Sequence, residues 1–261
     1  MAKKTSGLGS GVLEEMTLED VRAFKPRVVV LPLGSTEPHG AHLPYGTDTF
    51  EVADVARNGV VAANRRGARA LLYPTLPITN NANFRKFPFA CRIGVRTLMS
   101  VLVDIVTQCK EDGVMKVVLV NGHGGNTGAI PAAMRELAGM DNMPFVCCAE
   151  ALTSPEFKNP IEHPSDHAGE SETSRVMHLR PELVKSSKFK NYPFGRVKIP
   201  ALRHASFIRP WHLYIPASAG GETRKSSAAK GRSIQTEMAK TLAQLLVELA
   251  EAKWDERFPY E

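Results

Sequence analysis

Cysteine is scarce in this chain of 261 residues. Only Cys91, Cys109, Cys147 and Cys148 are present, and no two of them form a C-x-x-C pair. That spacing excludes a thiolate zinc ribbon, and free thiols suit a reducing cytoplasm. No apolar run approaches the roughly 20 residues that a membrane-spanning helix needs. The opening MAKKTSGLGSG is polar and lacks the apolar core of a signal peptide. A G-x-S-x-G elbow, a Gly-Lys-Ser/Thr phosphate loop and spaced Rossmann glycines are all missing. The excess of positive charge is small: 33 Lys+Arg against 27 Asp+Glu leaves +6. The basic residues are scattered, apart from Arg65, Arg66 and Arg69, and read as a solvated surface. Neither a membrane nor a nucleic acid is expected as a partner; a small polar substrate is.

What is present is an alternation of strand and helix signals. Residues 1–12 read as a loose tail, and 13–261 as one domain. TLEDVRAF predicts a short helix capped by Thr17 and ended by Pro26. RVVVLPLGS (27–35), ALLYPTLP (70–77), MKVVLV (115–120) and PFVCCAE (144–150) read as buried strands. Cys147 and Cys148 lie inside the last of these. Helices are expected from Asp48 to about Asn64, over 97–112, after NGHGGN, over ETSRVMHL and from Ser226 onward, the last broken near Gly231. This alternation predicts an α/β fold with a largely parallel central sheet. Residues 80–92 and 190–215 lose periodicity and are expected to form pocket walls.

Three segments carry chemistry. The first, GSTEPHGAHLPYGTD, starts where a buried strand ends, the place where open α/β sheets bind ligands. Glu37 and His39 are two apart, so an extended backbone points both the same way. Asp48 starts the next helix and can fold back toward them. The second, NGHGGN, also leaves a strand and opens a helix, projecting His123 from the same sheet edge, with Gly124 and Gly125 allowing close backbone approach. The third, Asp166-His167-Ala-Gly-Glu170-Ser-Glu172-Thr, groups a histidine with several acids; either Glu170 or Glu172 could complete a metal shell, and His167 could shuttle a proton. Carboxylates mixed with imidazoles suit Zn²⁺, Mn²⁺ or Fe²⁺. Taken singly, Asp48 could be a helix cap, and NGHGGN could hold a phosphate on helix amides.

The pattern E-x-H-G-x-H-L-P-x-x-T-D, then N-G-H-x-x-N, then H-A-G-x-x-E-T-S, resembles the creatininase (creatinine amidohydrolase) family. The C-terminal TRKSSAAKG resembles that family's closing segment, and the likeness runs from about residue 27 to 250. The resemblance implies a three-layer α/β/α domain with two divalent metal ions, zinc foremost, and a homo-oligomer, typically a hexamer. Glu37 and His123 match ligands of one metal, His39 a ligand of the other, and Asp48 the bridging carboxylate. His167 matches the catalytic histidine, and Glu172 the acid of the E-T-S motif. Two positions depart from creatininase itself. Gly125 stands where creatininase has a ligating glutamate, and Glu170 is the expected replacement. His163 stands where creatininase has a tryptophan over its substrate, which argues against creatinine. The family also hydrolyses formamides, trims a peptide and opens diketo-inositol rings, so its shared motifs imply hydrolysis without naming the substrate.

Overall fold

The structure, a computed structural model, describes residues 9–150, 152–165, 167–208 and 210–261. Asp166, one of the acids of the third segment, and residues 1–8 of the expected tail lie outside the described residues. Four strands, β1 (Val28–Leu33), β2 (Ala70–Leu72), β3 (Lys116–Asn121) and β4 (Phe145–Ala149), form one parallel sheet in the order β2-β1-β3-β4. Helices α2 (Thr47–Asn64) and α7 (Ala228–Glu251) cover one face, and α3 (Val95–Glu111) and α4 (Ala129–Leu137) the other. The expected α/β/α layering is therefore present.

The layering follows from the two-residue period of a strand. Val28, Val30, Val118 and Val120 pack with α2 and α7, while Val29, Leu31, Leu33, Val117 and Leu119 pack with α3 and α4. Both sets are apolar because both faces are covered, so the strands read as unbroken hydrophobic runs. Ahead of the sheet, α1 (Leu18–Phe24) starts at Thr17 in a capping box with Asp20.

Four details differ from the sequence reading. Residues 9–12 are not loose: Leu72 donates its N–H to the Gly11 carbonyl, and Val12 is buried in the core. The strand expected over 70–77 stops at Leu72, with one further bridge from Leu76 to Leu33. Cys147 and Cys148 are half-buried because β4 ends the sheet. Helix α7 runs unbroken through Gly231, whose missing side chain lets the helix approach the Ser174 carbonyl of α5 (Glu170–Leu179).

The remaining pieces are small: α6 (Trp211–Tyr214) and an antiparallel pair, β5 (Asn191–Tyr192) with β6 (Gly221–Glu222). Among the described residues no helix is long and apolar enough to cross a membrane. Two features position the site. β1 and β3 are adjacent and parallel, with Leu33 opposite Asn121, so their exit loops leave the sheet side by side. Helix α5 packs across α2 and α7 and brings its first turn to that edge.

Candidate metal centre

At the shared edge of β1 and β3 the chain buries two acids and an imidazole, two on the loop after β1 and one in the first turn of α2. Glu37, His39 and Asp48 are each at most 2% exposed. The loop is fixed by its own backbone and neighbours. Ser35 donates its hydroxyl to Glu37 Oε2 at 3.1 Å, and the Asn81 amide donates to Ser35 and to the carbonyls of Thr36 and Cys91. Thr49 donates to the Ser35 carbonyl, which ties the loop to the helix that carries Asp48. His42, in the same segment, is a strut: its Nε2 lies 3.1 Å from the Ala168 carbonyl and 3.0 Å from Thr173 Oγ1. Burial drives His42 down to about 4, so it is a neutral strut between the first and third segments.

Asp48 is the centre of the cluster. Its Oδ1 lies 3.0 Å from His39 Nε2, and its Oδ2 lies 3.0 Å from His123 Nδ1. Glu37 Oε2 lies 3.2 Å from His123 Nε2, and Glu172 Oε2 lies 3.9 Å from His39 Nε2. Among the described residues three triads have donor atoms within 4.8 Å of one another: Glu37/His39/His167, Glu37/Asp48/His123 and His39/Asp48/Glu172. Asp48 belongs to the last two, which between them take up both of its carboxylate oxygens.

The donor set fits a pair of divalent cations. His39 Nδ1 faces the Glu37 carbonyl at 3.0 Å, and His123 Nε2 faces the Asn80 carbonyl at 2.9 Å. A carbonyl only accepts, so each of those nitrogens carries the hydrogen. The remaining nitrogen of each ring is aimed at Asp48. That is how a ligating histidine is held in the correct tautomer. His39 Nε2 and Asp48 Oδ2 are buried and make no hydrogen bond of acceptable geometry, although each has a polar neighbour at 3.0 Å. Mixed nitrogen and oxygen donors with a shared carboxylate suit zinc or manganese.

The electrostatics agree. Burial lifts the Glu37 carboxyl to about 8, and neighbouring Asp48 adds to the rise. Burial opposes a charge on His39, yet the Asp48, Glu172 and Glu37 carboxylates outweigh it and lift that imidazole to about 10. The same balance of burial against Asp48 and Glu37 raises His123. A cluster of buried acids that draws protons onto its histidines is one that a cation stabilises in their place.

His167 lies against this cluster. Its Nε2 donates to the Pro38 carbonyl at 3.0 Å, which leaves Nδ1 facing Glu37 Oε1 at 3.8 Å. Its ring is 4.2 Å from that of His39, 5.1 Å from Phe84 and 5.6 Å from Trp211. Burial and the nearby His39 hold it well below the usual histidine range, so it is a neutral base.

Two expected site residues are elsewhere. Glu170 does not join the cluster. It is fully buried, accepts Lys230 Nζ at 2.6 Å, and accepts the backbone N–H groups of His163 at 2.7 Å and Glu162 at 3.2 Å. Its position at the start of α5 turns it toward α7 and the 162–163 loop, while Glu172, two residues on, turns toward His39. His163 is exposed and outside the cavity lining. Gly125 explains why no acid follows His123. A side chain there would run into the Asn80 carbonyl and the His123 ring itself.

Above the cluster opens a cavity of roughly 520 Å³, whose lining includes Glu37, Asp48, His123, Gly124, Gly125, His167 and Glu172. Asn81, Asn83, Phe84 and Trp211 line the same wall, inside the segments 80–92 and 190–215 expected to form it, and Thr127, directly after NGHGGN, joins them unanticipated. Trp211 reaches Phe84 at a ring distance of 5.0 Å across the mouth.

The comparisons with known proteins concur. The model of the family described as "Creatininase: Creatinine amidohydrolase" matches residues 14–246. The chain is 30% identical over 239 residues to the mycofactocin precursor peptide peptidase of Mycolicibacterium smegmatis, covering 89% of this chain and 87% of the relative. A crystal structure from Bacteroides fragilis, described as a candidate creatinine amidohydrolase, superimposes with a TM-score of 0.82 at 31% identity over 95% of this chain and 99% of its own. A manganese form of creatininase shares the fold, with a TM-score of 0.71 at 24% identity over 93% of this chain and 100% of its own. With its motifs gathered at one sheet edge and its family model matched along most of its length, the chain belongs to the creatininase family of hydrolases.

Proposed function

We propose that this hydrolase uses two divalent ions, zinc or manganese, to cleave an amide-type C–N bond in a small polar or peptide-like substrate. Glu37, Asp48 and His123 would hold one ion, and His39, Asp48 and Glu172 the other, with Asp48 shared. The ions, when bound, would supply Lewis acidity and an acidified water. The observation behind this reading is that both histidines turn the nitrogen not held by a backbone carbonyl toward the one carboxylate common to the two triads.

The chain's own groups then have definable tasks. His167 holds its Nε2–H on the Pro38 carbonyl, so Nδ1 is the atom that takes a proton from the attacking side and gives it to the leaving nitrogen. The backbone of Gly124 and Gly125 lines the cavity wall, where N–H groups can steady a developing oxyanion. Phe84 and Trp211 keep water from the far side of His167. An amide substrate is favoured because the Mycolicibacterium smegmatis relative is described as a peptidase.

The test combines metal analysis of the purified protein with a panel of a cyclic amide, a formamide, a short peptide and a diketo-inositol. Turnover of at least one C–N substrate, lost on chelation and restored by zinc or manganese, is expected. Metal-independent turnover, or cleavage of the diketo-inositol alone, would overturn the assignment.

A further inference from the structure

One helical turn beneath the acids of the cluster lies a second, largely buried polar layer. Glu51 is three residues after Asp48 on α2, and Arg175 is three residues after Glu172 on α5. Residues three apart on a helix share a face. Arg175 Nη1 donates to Glu51 Oε2 at 2.7 Å, with side-chain exposures of 14% and 3%. Gln235 of α7 closes the layer. Its Oε1 accepts Arg175 Nε at 2.9 Å, and its amide donates to the Glu51 carbonyl and Asp54 Oδ2, both at 3.1 Å.

This layer is an expensive way to join three helices. Taking both charges out of water costs several kcal/mol per ion before their attraction offsets it, and well-packed apolar side chains often do as well or better. Glu51 Oε1, moreover, is buried without a hydrogen-bond partner. What an ion pair supplies and an apolar contact does not is a fixed distance and rotation between two helices. Those two helices carry the two acids of one triad: Asp48 on α2 and Glu172 on α5. The other triad, Glu37/Asp48/His123, takes nothing from α5.

We infer that Glu51 and Arg175 are positioning residues that set the spacing of Asp48 and Glu172, and so govern metal affinity at the His39/Asp48/Glu172 position and not at its neighbour. The inference rests on the two-ion reading of the site. It predicts an asymmetric defect: loosening the pair lets α5 shift against α2, which moves Glu172 while leaving Glu37, Asp48 and His123 in place.

The experiment titrates zinc into metal-free wild type, Arg175→Met, Glu51→Gln and Arg175→Lys against a chromophoric chelator, with thermal unfolding of each metal-free protein recorded alongside. Loss of an outer partner of a metal ligand typically weakens binding about 10–100-fold. A loss of about tenfold or more is therefore expected in one binding step of Arg175→Met and Glu51→Gln, with the other step at its wild-type value. Arg175→Lys, which keeps the charge, should recover part of that loss. If Arg175→Met does not fold, Glu51→Gln and Arg175→Lys decide the question. Two unchanged steps in the folded variants, or an equal fall in both, would overturn the inference. Failure of wild type to bind two ions would instead sink the reading of the site beneath it.

Discussion

On the sheet side of the cavity, Glu37, His39, Asp48 and His123 are almost completely buried, and each histidine is held by a backbone carbonyl. On the opposite side the wall is Trp211, on a single helical turn within a segment that exposes Val197, Ile199, Phe207 and Ile208, the last 93% exposed. The first wall hangs on the ends of β1 and β3, so its geometry is inherited from the sheet. The second is pinned by ring contacts such as those of Trp211 with Phe84 and His167. Under the proposed function, the contrast is a division of labour: chemistry is held by the scaffold, and substrate choice falls to the segment least constrained by it.

Four substitutions test that division. The largest effect is expected for Asp48→Asn, which removes the carboxylate shared by both triads. Both ions should be lost, and activity should fall by more than the roughly 100-fold that removal of an outer partner costs; elemental analysis and turnover check this. Next is Gly125→Ala on the same wall. Its new methyl meets the Asn80 carbonyl and the His123 ring, so unfolding should become easier by about 1–3 kcal/mol, with weaker metal binding, as measured by thermal melts and metal titration. Trp211→Ala belongs to the other wall. It should leave both ions in place and raise KM by up to about tenfold, the scale of one aromatic pair, as steady-state kinetics would report. A large loss of metal there would erase the contrast between the walls. The smallest effect on chemistry is expected for Glu170→Gln. Both ions should stay, while stability falls by about 1–3 kcal/mol through weaker bonds to Lys230 and the 162–163 backbone, read from denaturant unfolding. Loss of one ion in Glu170→Gln would return this residue to the metal shell.

The Glu170 and Glu172 pair shows where the sequence stops being informative. Both acids lie in one short motif, and both have a plausible route to a metal. Their separation by two residues on a helix sends them to different faces, one to His39 and the other to Lys230, which is 60 residues away in sequence. A similar limit applies to Gly125. Its missing acid is visible in the sequence, but only the proximity of the Asn80 carbonyl explains why none fits there.

By itself, the sequence determined that four strands alternate with helices, and it marked the strand ends that bear Glu37, His39 and His123 and the helix start that bears Asp48. Periodicity and strand-end motifs are local properties, and local physics suffices to read them. Tertiary structure alone decided which acid accompanies His39, which aromatic rings close on His167, and that Arg175 lies beneath the cluster against Glu51. Each depends on the packing of one helix or aperiodic segment against another, and contacts across such distances leave no periodic trace in the chain.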